Sequence, residues 1–550
     1  MKYNSQNPFI IPEETIRLAR AIYKKRSNVY ILMRDEVGIV YWDSEFADLF
    51  SHQGRPGESP GNLAMISVMQ FAEGLSDEQA AEMVRSRIDW KYMLGLALSD
   101  SGFDGSVLST FRGRLIAGSR EAALLDSMLA LFMERGWLKS RGKQRTDSTI
   151  VLAAIRELNR LEMVGETLRH ALEALTIVAP SWLQGQVTPD WYDRYGSRFE
   201  QYRLPQEKGE REALALTIGQ DGYYLLTAIY QAQQPLPYLW PIEAVQTLRQ
   251  VWLQQYYWQE GQVSWREAGN LPTGATSIQS PYDPQARYSQ KRETSWTGYK
   301  VHLTESCDDK RPHLITNVVT TTAAVPDVAV TEQIHTALIA KGLPPHTHLV
   351  DAGYPDGDLL LSSQRQGIDL LGPLPKDTSP QTRADEGFAL LDFTIDWHNK
   401  QATCPGGHLS QAWYPNQKSK TSGETILVRF DLADCAPCCH RPLCTSAQKG
   451  RSIRLRPQEI HQAIQTARQR EQTDSFQQLY HQRAGVEGTI SQGTRAFALR
   501  RTRYIGLPKT HLQHLLTAAA MNITRLVAWL QVSPRSQTRR SHFARLALCT

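Results

Sequence analysis

The sequence predicts an α/β fold built around a mixed sheet, preceded by a helical region and interrupted by two insertions. Three observations predict this architecture. Apolar residues recur at helical spacing over residues 1–125, the period changes to that of strands near residue 298, and strands then alternate with helices as far as residue 372. The chain has 550 residues, of which 41% are hydrophobic, so it can bury roughly two to four separate cores.

The composition argues against a membrane protein and against a secreted protein. No apolar run approaches the roughly 18 residues of a membrane span, and the first residues lack the apolar segment of a signal peptide. We therefore expect a cytoplasmic protein without a membrane partner. Most of the seven cysteines lie close together, which favours a metal site over disulfides in a chain without an export signal.

Residues 1–125 are predicted to form a helical domain for DNA binding or dimerisation. Residues 62–73 are amphipathic, Ser76 and Gln79 have the spacing of a capping box, and a third helix follows Ser106. Two helices around a glycine turn also occur in helix-turn-helix motifs. A small helical bundle without DNA contacts is at least as common, so both interpretations remain open.

A short strand at residues 144–150 is predicted to lead directly into a long helix. The apolar residues with helical spacing are Val151, Ile155, Leu158, Leu161, Val164, Leu168, Leu172 and Leu175. The chain then stays mostly helical and rich in Trp and Tyr as far as about residue 270. This pattern predicts a helical insertion over residues 151–270, whose aromatic residues are typical of a core rather than a binding site.

Strands and helices alternate after the insertion. The predicted strands are 298–304, 314–321, 346–351 and 368–372, and the predicted helices are 327–341 and 355–364. When the insertion is left out, the order along the chain is that of an RNase H-like sheet, with one antiparallel meander followed by parallel strands. We therefore predict an RNase H-like mixed sheet.

The remaining chain divides into a cysteine-rich part and a helical part. Short strands surround the cysteines, and a buried helical stripe follows at Leu512, Leu515, Leu516, Ala519, Ile523, Leu526 and Leu530. The predicted domains are a helical domain (1–125), the first part of the catalytic core (140–384), a cysteine-rich insertion (385–452), the helices that complete the core (453–532) and a basic tail (533–550).

Acidic residues lie on two of the predicted strands. Asp147 lies in RTDST, and Asp351 ends the fourth strand in VDAGY, a strand that neighbours the first in an RNase H-like sheet. Glu487 is the candidate for a third acid, since Tyr480, Arg483 and Glu487 are spaced to share one helix face. Three converging carboxylates require cations, and two Mg²⁺ or Mn²⁺ ions in such a site can cut phosphodiesters.

Each acid also has a purely structural interpretation. Asp147 and Asp351 have the residue type that caps a following helix. Arg483 and Glu487 have the spacing of an ordinary surface pair, worth a few tenths of a kcal/mol.

The C-terminal segment is strongly basic. Residues 483–550 contain eleven Lys or Arg and a single acid, Glu487, a balance that attracts DNA phosphates. The alternative is a solvated basic face or a disordered tail. The candidate DNA-binding residues are Tyr480, Arg483, Arg495, Arg500, Arg501 and Arg503.

The cysteines have the spacing of zinc ligands. Cys435 and Cys438 form a CxxC knuckle, and with Cys404 and Cys444 they make a set that Zn²⁺ binds tetrahedrally. A small strand-rich lobe with little core needs such a structural ion. Competing ligands are His408, Cys439 and His440, and the alternative is a reduced cluster whose ligand set has decayed.

These motifs together resemble the DDE transposases of bacterial insertion sequences, in particular the group numbered eleven eighty-two. The resemblance covers nearly the whole chain in ordered motifs: SDEQAAEMVRSRIDWKYMLGL near the start, RTDST, SPYD with RYSQKRETSWTGYKVHLTE, VDAGY, CPGG with CAPCCHRPLC, and YHQRAGVEGTI with RRTRYIGLPKTHLQHLLTAAAMNITRL.

The resemblance implies that Asp147, Asp351 and Glu487 bind the catalytic metal ions. It further implies cleavage at the terminal repeats of a mobile element, transfer of the 3′-OH to target DNA, assembly of a homodimer or larger complex on double-stranded DNA, and a place at the bacterial nucleoid. Related transposases carry a lysine seven residues after the third acid, where this chain has Thr494 followed by Arg495.

Three alternative functions account for part of these features. The first is a host-adopted derivative that binds DNA without cutting it. The others are a zinc-containing structural protein and a carbohydrate hydrolase with paired carboxylates.

Overall fold

The computed structural model describes residues 10–532 except 24–27, 52, 55–56, 231–235, 260, 376–378, 384–386 and 420–422. The predicted basic tail at 533–550 therefore lies outside the described residues. The chain divides into two compact units. The first comprises Met1–Leu138, Ser148–Val325 and Glu487–Thr550, and the second comprises Lys139–Asp147 and Pro326–Val486.

Seven helices occupy the start of the first unit. They are α1 (Glu13–Ile22), α2 (Val29–Glu36), α3 (Pro60–Glu73), α4 (Asp77–Ser86), α5 (Ile88–Leu94), α6 (Ser106–Ala117) and α7 (Ala123–Glu134). The capping box is confirmed, since Gln79 N donates to Ser76 Oγ while Ser76 N donates to the Gln79 side chain. Gly74 ends α3 in the left-handed conformation.

The first strand is longer than predicted. β1 spans Lys143–Leu152, and the long helix begins only at Arg160, where Asn159 caps it. The prediction of a helix directly after residue 150 was wrong. Leu152 stays in a strand because its N–H donates to the Arg500 carbonyl at 2.8 Å and its carbonyl accepts from Thr502 N at 3.1 Å.

The insertion is helical but ends in a hairpin that was not predicted. Its elements are α8 (Arg160–Val178), α9 (Pro180–Gln184), α10 (Pro189–Tyr195), α11 (Lys208–Tyr230), α12 (Glu243–Gln255), β2 (Tyr256–Gln259) and β3 (Gln262–Trp265). Trp191, Trp252 and Tyr256 lie in its core, whereas Tyr202 and Trp258 are exposed. The prediction that the aromatic residues build a core is therefore right for part of them.

The main sheet has six strands. After β1 it contains β4 (Arg287–Lys291), β5 (Thr294–Ser306), β6 (Ile315–Thr322), β7 (Thr347–Val350) and β8 (Asp369–Leu371), with helices α13 (Thr331–Ala340) and α14 (Gly357–Arg365) flanking β7 along the chain. The strand order is β4-β5-β1-β7-β8, and β6 also pairs with β5. The β5 pairings with β4 and β6 are antiparallel, and the β7 pairings with β1 and β8 are parallel. This mixed sheet is compatible with an RNase H-like core, although β4 was not predicted.

The cysteine-rich part of the second unit consists of short strands and helical turns. They are α15 (Pro380–Arg383), β9 (Thr394–Asp396), β10 (Gln401–Thr403), β11 (Ala412–Ser419), β12 (Gly423–Arg429), α16 (Leu432–Cys435), α17 (Arg441–Cys444) and β13 (Ser452–Leu455). Its small core is built around Phe393, Phe430 and Leu455.

Four α-helices form the last part of the chain that the structure describes. They are α18 (Gln458–Glu471), α19 (Asp474–His481), α20 (Gly485–Ala496) and α21 (Leu507–Leu530). The predicted apolar stripe of α21 is confirmed except at Leu530, which is only half-buried, and Leu512, Leu516 and Leu526 are among its buried residues. None of the helices in the described ranges is long and apolar enough to cross a membrane.

Candidate functional site

Two parallel strands of the second unit deliver the two aspartates. Thr146 on β1 is paired with Val350, the last residue of β7. Asp147 is the next residue on β1, and Asp351 directly follows β7. Neighbouring strands lie about 4.8 Å apart, so the two carboxylates start from adjacent positions in the sheet. Neither aspartate is a helix cap, because Asn159 caps α8 and Asp356 caps α14.

Asp147 is held by an arginine from the C-terminal helical region. Arg483 Nη1 donates to Asp147 Oδ2 at 3.0 Å, and both side chains are largely shielded from solvent. Asp351 Oδ1 accepts a hydrogen bond from Ala352 N at 2.7 Å.

The charges around Arg483 act on its protonation and on that of Tyr480. Burial alone would lower the pKa of Arg483, but Asp147, Tyr480 and Asp351 together raise it above its usual value. Burial raises the pKa of Tyr480, and the two aspartates add to this effect while Arg483 opposes it. The site therefore keeps a cationic guanidinium and a neutral phenol beside two carboxylates.

Contacts with β1 fix the segment that carries Arg483. Arg145 donates to the Gln482 carbonyl, and Lys143 Nζ donates to Gln482 Oε1 at 2.9 Å. The chain passes so close to Arg145 that a Cβ at Gly485 would lie 2.1 Å from Arg145 Nη1. Because this atom is the far end of a flexible side chain, Arg145 would have to shift to admit a Cβ at Gly485.

Tyr480, Arg483 and Glu487 were predicted to share one helix face. They do not lie in one regular α-helix. Tyr480 lies in α19 and stacks on Phe476 with ring centroids 5.6 Å apart. Arg483 lies in a 3₁₀ turn, Gln482–Ala484. Glu487 is exposed in the first turn of α20 and belongs to the first unit.

A buried row of hydrogen-bonded polar side chains begins at Thr146, the residue before Asp147. It was not predicted from the sequence. Thr146 Oγ1 is 2.6 Å from His348 Nε2, and His348 Nδ1 is 2.8 Å from His335 Nε2. Burial lowers the pKa of His335 to about 4 and lowers that of His348 well below its usual value, so both imidazoles are neutral near pH 7. The HLVD spacing was the available signal, since it places a histidine three residues before Asp351 in a buried strand.

The four predicted DNA-binding arginines beyond Glu487 have different surroundings in the first unit. Arg495, Arg500 and Arg501 are exposed, and Arg500 Nε donates to Thr149 Oγ1 at 2.8 Å. Arg503 donates to the Leu75 carbonyl at 2.8 Å, and its guanidinium lies 4.9 Å from the centre of the Phe71 ring. Arg503 is exposed as well, so it combines these contacts with access to solvent.

The predicted zinc ligands line one cavity of about 30 Å³ in the second unit. Cys404, Cys435, Cys438 and Cys444 border it together with His408 and His440. Burial raises the pKa of Cys444, and the other three thiols contribute to that shift despite the opposing charge of Arg451. All four cysteines are in the free form, and Cys439 is exposed.

No group of three or more His, Cys, Asp or Glu side chains within the described ranges is arranged to hold a metal ion. The donor types nevertheless suit the two predicted metals. Asp147 and Asp351 offer the carboxylate oxygens that Mg²⁺ prefers, and they already share the field of one cation, Arg483. The four cysteines around the cavity offer the sulfur ligands that Zn²⁺ prefers in structural sites.

Comparisons with known proteins identify two matching families. A family model described as "Transposase DDE domain" matches residues 403–527, and one described as "Transposase domain (DUF772)" matches residues 23–114. The first range includes the cysteine cavity, Arg483 and Glu487. The comparisons with curated proteins and with solved structures give no match.

These matches support a DNA transposase function, with DNA as a partner. A DDE domain also implies the use of divalent metal ions in general.

Proposed function

We propose that this protein is a transposase that cuts DNA at the terminal repeats of an insertion sequence and joins the freed 3′-OH to target DNA. The observation that carries the proposal is the register of β1 and β7, which brings Asp147 and Asp351 to adjacent positions. The group numbered eleven eighty-two is the proposed subgroup.

Asp147, Asp351 and Glu487 are the proposed ligands for Mg²⁺ or Mn²⁺. A bound divalent cation would stabilise negative charge on phosphate oxygens and favour ionisation of the attacking hydroxyl. The chain itself holds the Asp147 carboxylate in one orientation through Arg483. The fixed positive charge of Arg483 and the phenol of Tyr480 are the groups available for contacts with the phosphates of the DNA end.

Arg495, Arg500 and Arg501 are proposed to bind the DNA backbone. Their exposure supports this role, because phosphate contacts require cations that can reach solvent. Arg503 remains in the proposed set, because it is exposed too, and its guanidinium also contacts the Leu75 carbonyl and the Phe71 ring.

The cysteine cavity is proposed to bind one structural Zn²⁺ through Cys404, Cys435, Cys438 and Cys444. Support comes from the shared cavity and from the small core of the surrounding lobe, for which a bound ion would supply folding free energy. The proposed assembly is a homodimer or larger complex on double-stranded DNA at the bacterial nucleoid.

A Mg²⁺-dependent nicking assay on duplexes that carry the terminal repeats tests the proposal. Asp147→Asn, Asp351→Asn and Glu487→Gln each keep side-chain shape but remove a charge, so each should abolish cleavage and leave DNA affinity nearly unchanged. Asp193→Asn and Glu332→Gln, at exposed acids outside the site, are the matched controls and should cut at the wild-type rate.

Two outcomes would contradict the proposal. Near-normal cleavage by any of the three acid variants would remove that acid from the site. A wild-type protein that binds the repeats but never nicks them would favour the alternative of an inactive DNA-binding derivative.

A further inference from the structure

A buried ionic network in the first unit surrounds helix α20, whose first turn carries Glu487. Glu305 on β5 is fully buried, and Arg525 on α21 pairs with it at 2.5 Å between Nη1 and Oε2. The same Nη1 donates to the His313 carbonyl at 3.0 Å. None of these three residues was singled out by the sequence analysis.

The guanidinium of Arg525 also donates hydrogen bonds to two residues of α20 that lie about one turn apart. Arg525 Nη2 donates to Thr489 Oγ1 at 2.8 Å, and Nε donates to Gln492 Oε1 at 2.8 Å. Thr489 in turn donates to Glu305 Oε2 at 2.5 Å. One arginine thus ties two residues of α20 to β5 through a single buried carboxylate.

The position of these contacts on the helix matters for Glu487. Residues two apart on an α-helix point about 200° away from each other, so Thr489 faces the interior while Glu487 is exposed. Fixing Thr489 and Gln492 therefore fixes the rotation and the axial position of the turn that presents the Glu487 carboxylate.

Stability alone gives a weak reason for such a network. Removing two charges from water is costly, and replacing a buried ion pair by apolar residues is often neutral or stabilising. The planar fork of arginine does provide directed hydrogen bonds that a lysine cannot reproduce. The network therefore serves mainly to fix the rotation and the axial position of α20.

We infer that Arg525, acting with Glu305 and Thr489, is a positioning residue for Glu487. This inference rests on the proposed function, in which Glu487 is a metal ligand. A ligand carboxylate must be held to about 0.5 Å, and loss of the groups that orient a ligand typically costs 10- to 100-fold in metal affinity.

The test is Mn²⁺ binding by the full chain, measured from the loss of the free-ion EPR signal. Arg525→Lys keeps the charge opposite Glu305 but removes the fork, so Mn²⁺ affinity should fall about tenfold while the thermal unfolding midpoint stays within a few degrees. Arg112→Lys is the matched control, because Arg112 is buried in the same unit and its fork contacts Asp77 and Gln70. This control should leave Mn²⁺ affinity unchanged.

Unchanged Mn²⁺ affinity in folded Arg525→Lys, or an equal loss in Arg112→Lys, would overturn the inference. If Arg525→Lys does not fold, Gln492→Met decides the matter, since it removes one of the two contacts with α20 at a half-buried position. Gln492→Met should weaken Mn²⁺ binding about threefold, a partial loss relative to the range for orienting groups, and unchanged affinity would overturn the inference.

Glu487→Gln separates this inference from the proposed function. Equal Mn²⁺ affinity in Glu487→Gln and wild type would remove Glu487 from the metal site and with it the proposed function of this acid. A loss in Glu487→Gln without a loss in Arg525→Lys would reject only the positioning role.

Discussion

At the scale of single residues, the candidate site is defined by a cation placed against two carboxylates. Two aspartates at adjacent positions of neighbouring chain segments repel each other, and Arg483 offsets this repulsion by pairing with Asp147. An arginine suits the position because it stays charged at every pH at which the protein folds. Its partial burial strengthens the interaction, since solvent screens it less.

The buried His335–His348 pair leads to a prediction about pH. The folded state holds the pKa of His335 at about 4, whereas the unfolded chain has the ordinary value of about 6.5. The unfolded state therefore binds more protons between these values, and stability is lost as the pH falls through this window. For His335 alone, the free energy of unfolding should decrease by about 2 kcal/mol between pH 7 and pH 5.

Urea unfolding at a series of pH values measures this effect. His335→Gln should show a smaller decrease over the window, whatever its absolute stability. His398→Gln, which changes an exposed histidine, should keep the wild-type pH dependence. An identical pH dependence in wild type and His335→Gln would assign the acid sensitivity to other groups.

At the scale of elements, the first strand and its neighbour are in close contact. A Cβ at Gly298 on β5 would lie 2.2 Å from the Val151 carbonyl and 2.7 Å from Ala153 N. Both are backbone atoms of the chain that follows Asp147, so neither can move without disturbing β1. Glycine is required here by the approach of two backbones.

Gly298→Ala should therefore be strongly destabilising. Overpacking against fixed backbone and an unfavourable positive φ should together cost about 2–4 kcal/mol. Gly261→Ala is the control, because Gly261 also has a positive φ but no atom within 4 Å of its Cβ position. The midpoint of urea unfolding should drop much further for Gly298→Ala, and equal drops would mean that the close approach contributes nothing.

The cysteine-rich lobe gives a second prediction at this scale. The protein purified without chelators should carry about one Zn²⁺ per chain. Cys435→Ser and Cys438→Ser should lose the ion and make the lobe the first part of the chain to be cut by a protease, because binding free energy here is folding free energy.

Cys439→Ser serves as the control for the zinc prediction. Cys439 is exposed beside the proposed ligands, so its replacement should leave the zinc content unchanged. Metal analysis that finds no zinc in the wild-type protein would end the zinc proposal.

At the scale of the whole molecule, the basic C-terminal segment is the proposed contact with DNA. Each phosphate contact releases counterions, so its loss should reduce the salt dependence of binding by about 0.9 in the logarithmic slope. Arg500→Ala combined with Arg501→Ala should therefore lower the slope by about 1.8 for terminal and random duplexes alike.

Arg503→Ala is the internal comparison for this prediction. Its guanidinium also contacts the Leu75 carbonyl and the Phe71 ring, so its loss should lower both the thermal unfolding midpoint and, by about 0.9, the salt slope. Thermal unfolding and affinity measured at several salt concentrations report the two effects. Equal slopes for wild type and the double variant would place Arg500 and Arg501 away from the DNA.

The sequence by itself determined the elements whose signals are local. The capping box at Ser76 and the apolar stripe of α21 follow from periods within one segment, and both are present. The order of strands and helices also predicted that β1 and β7 would be neighbours. That order was sufficient because chain connectivity restricts which strands can pair in a mixed sheet.

Only the tertiary structure decided features that depend on distant partners. β1 extends to Leu152 because its last residue pairs with a segment about 350 residues away, although Val151 and Ile155 continue a helical period. The partners of Asp147 and Glu305 are likewise remote, since Arg483 and Arg525 come from the last part of the chain. The spacing of residues within one segment does not reveal ion pairs between residues far apart in the sequence, because the packing of distant segments determines those pairs.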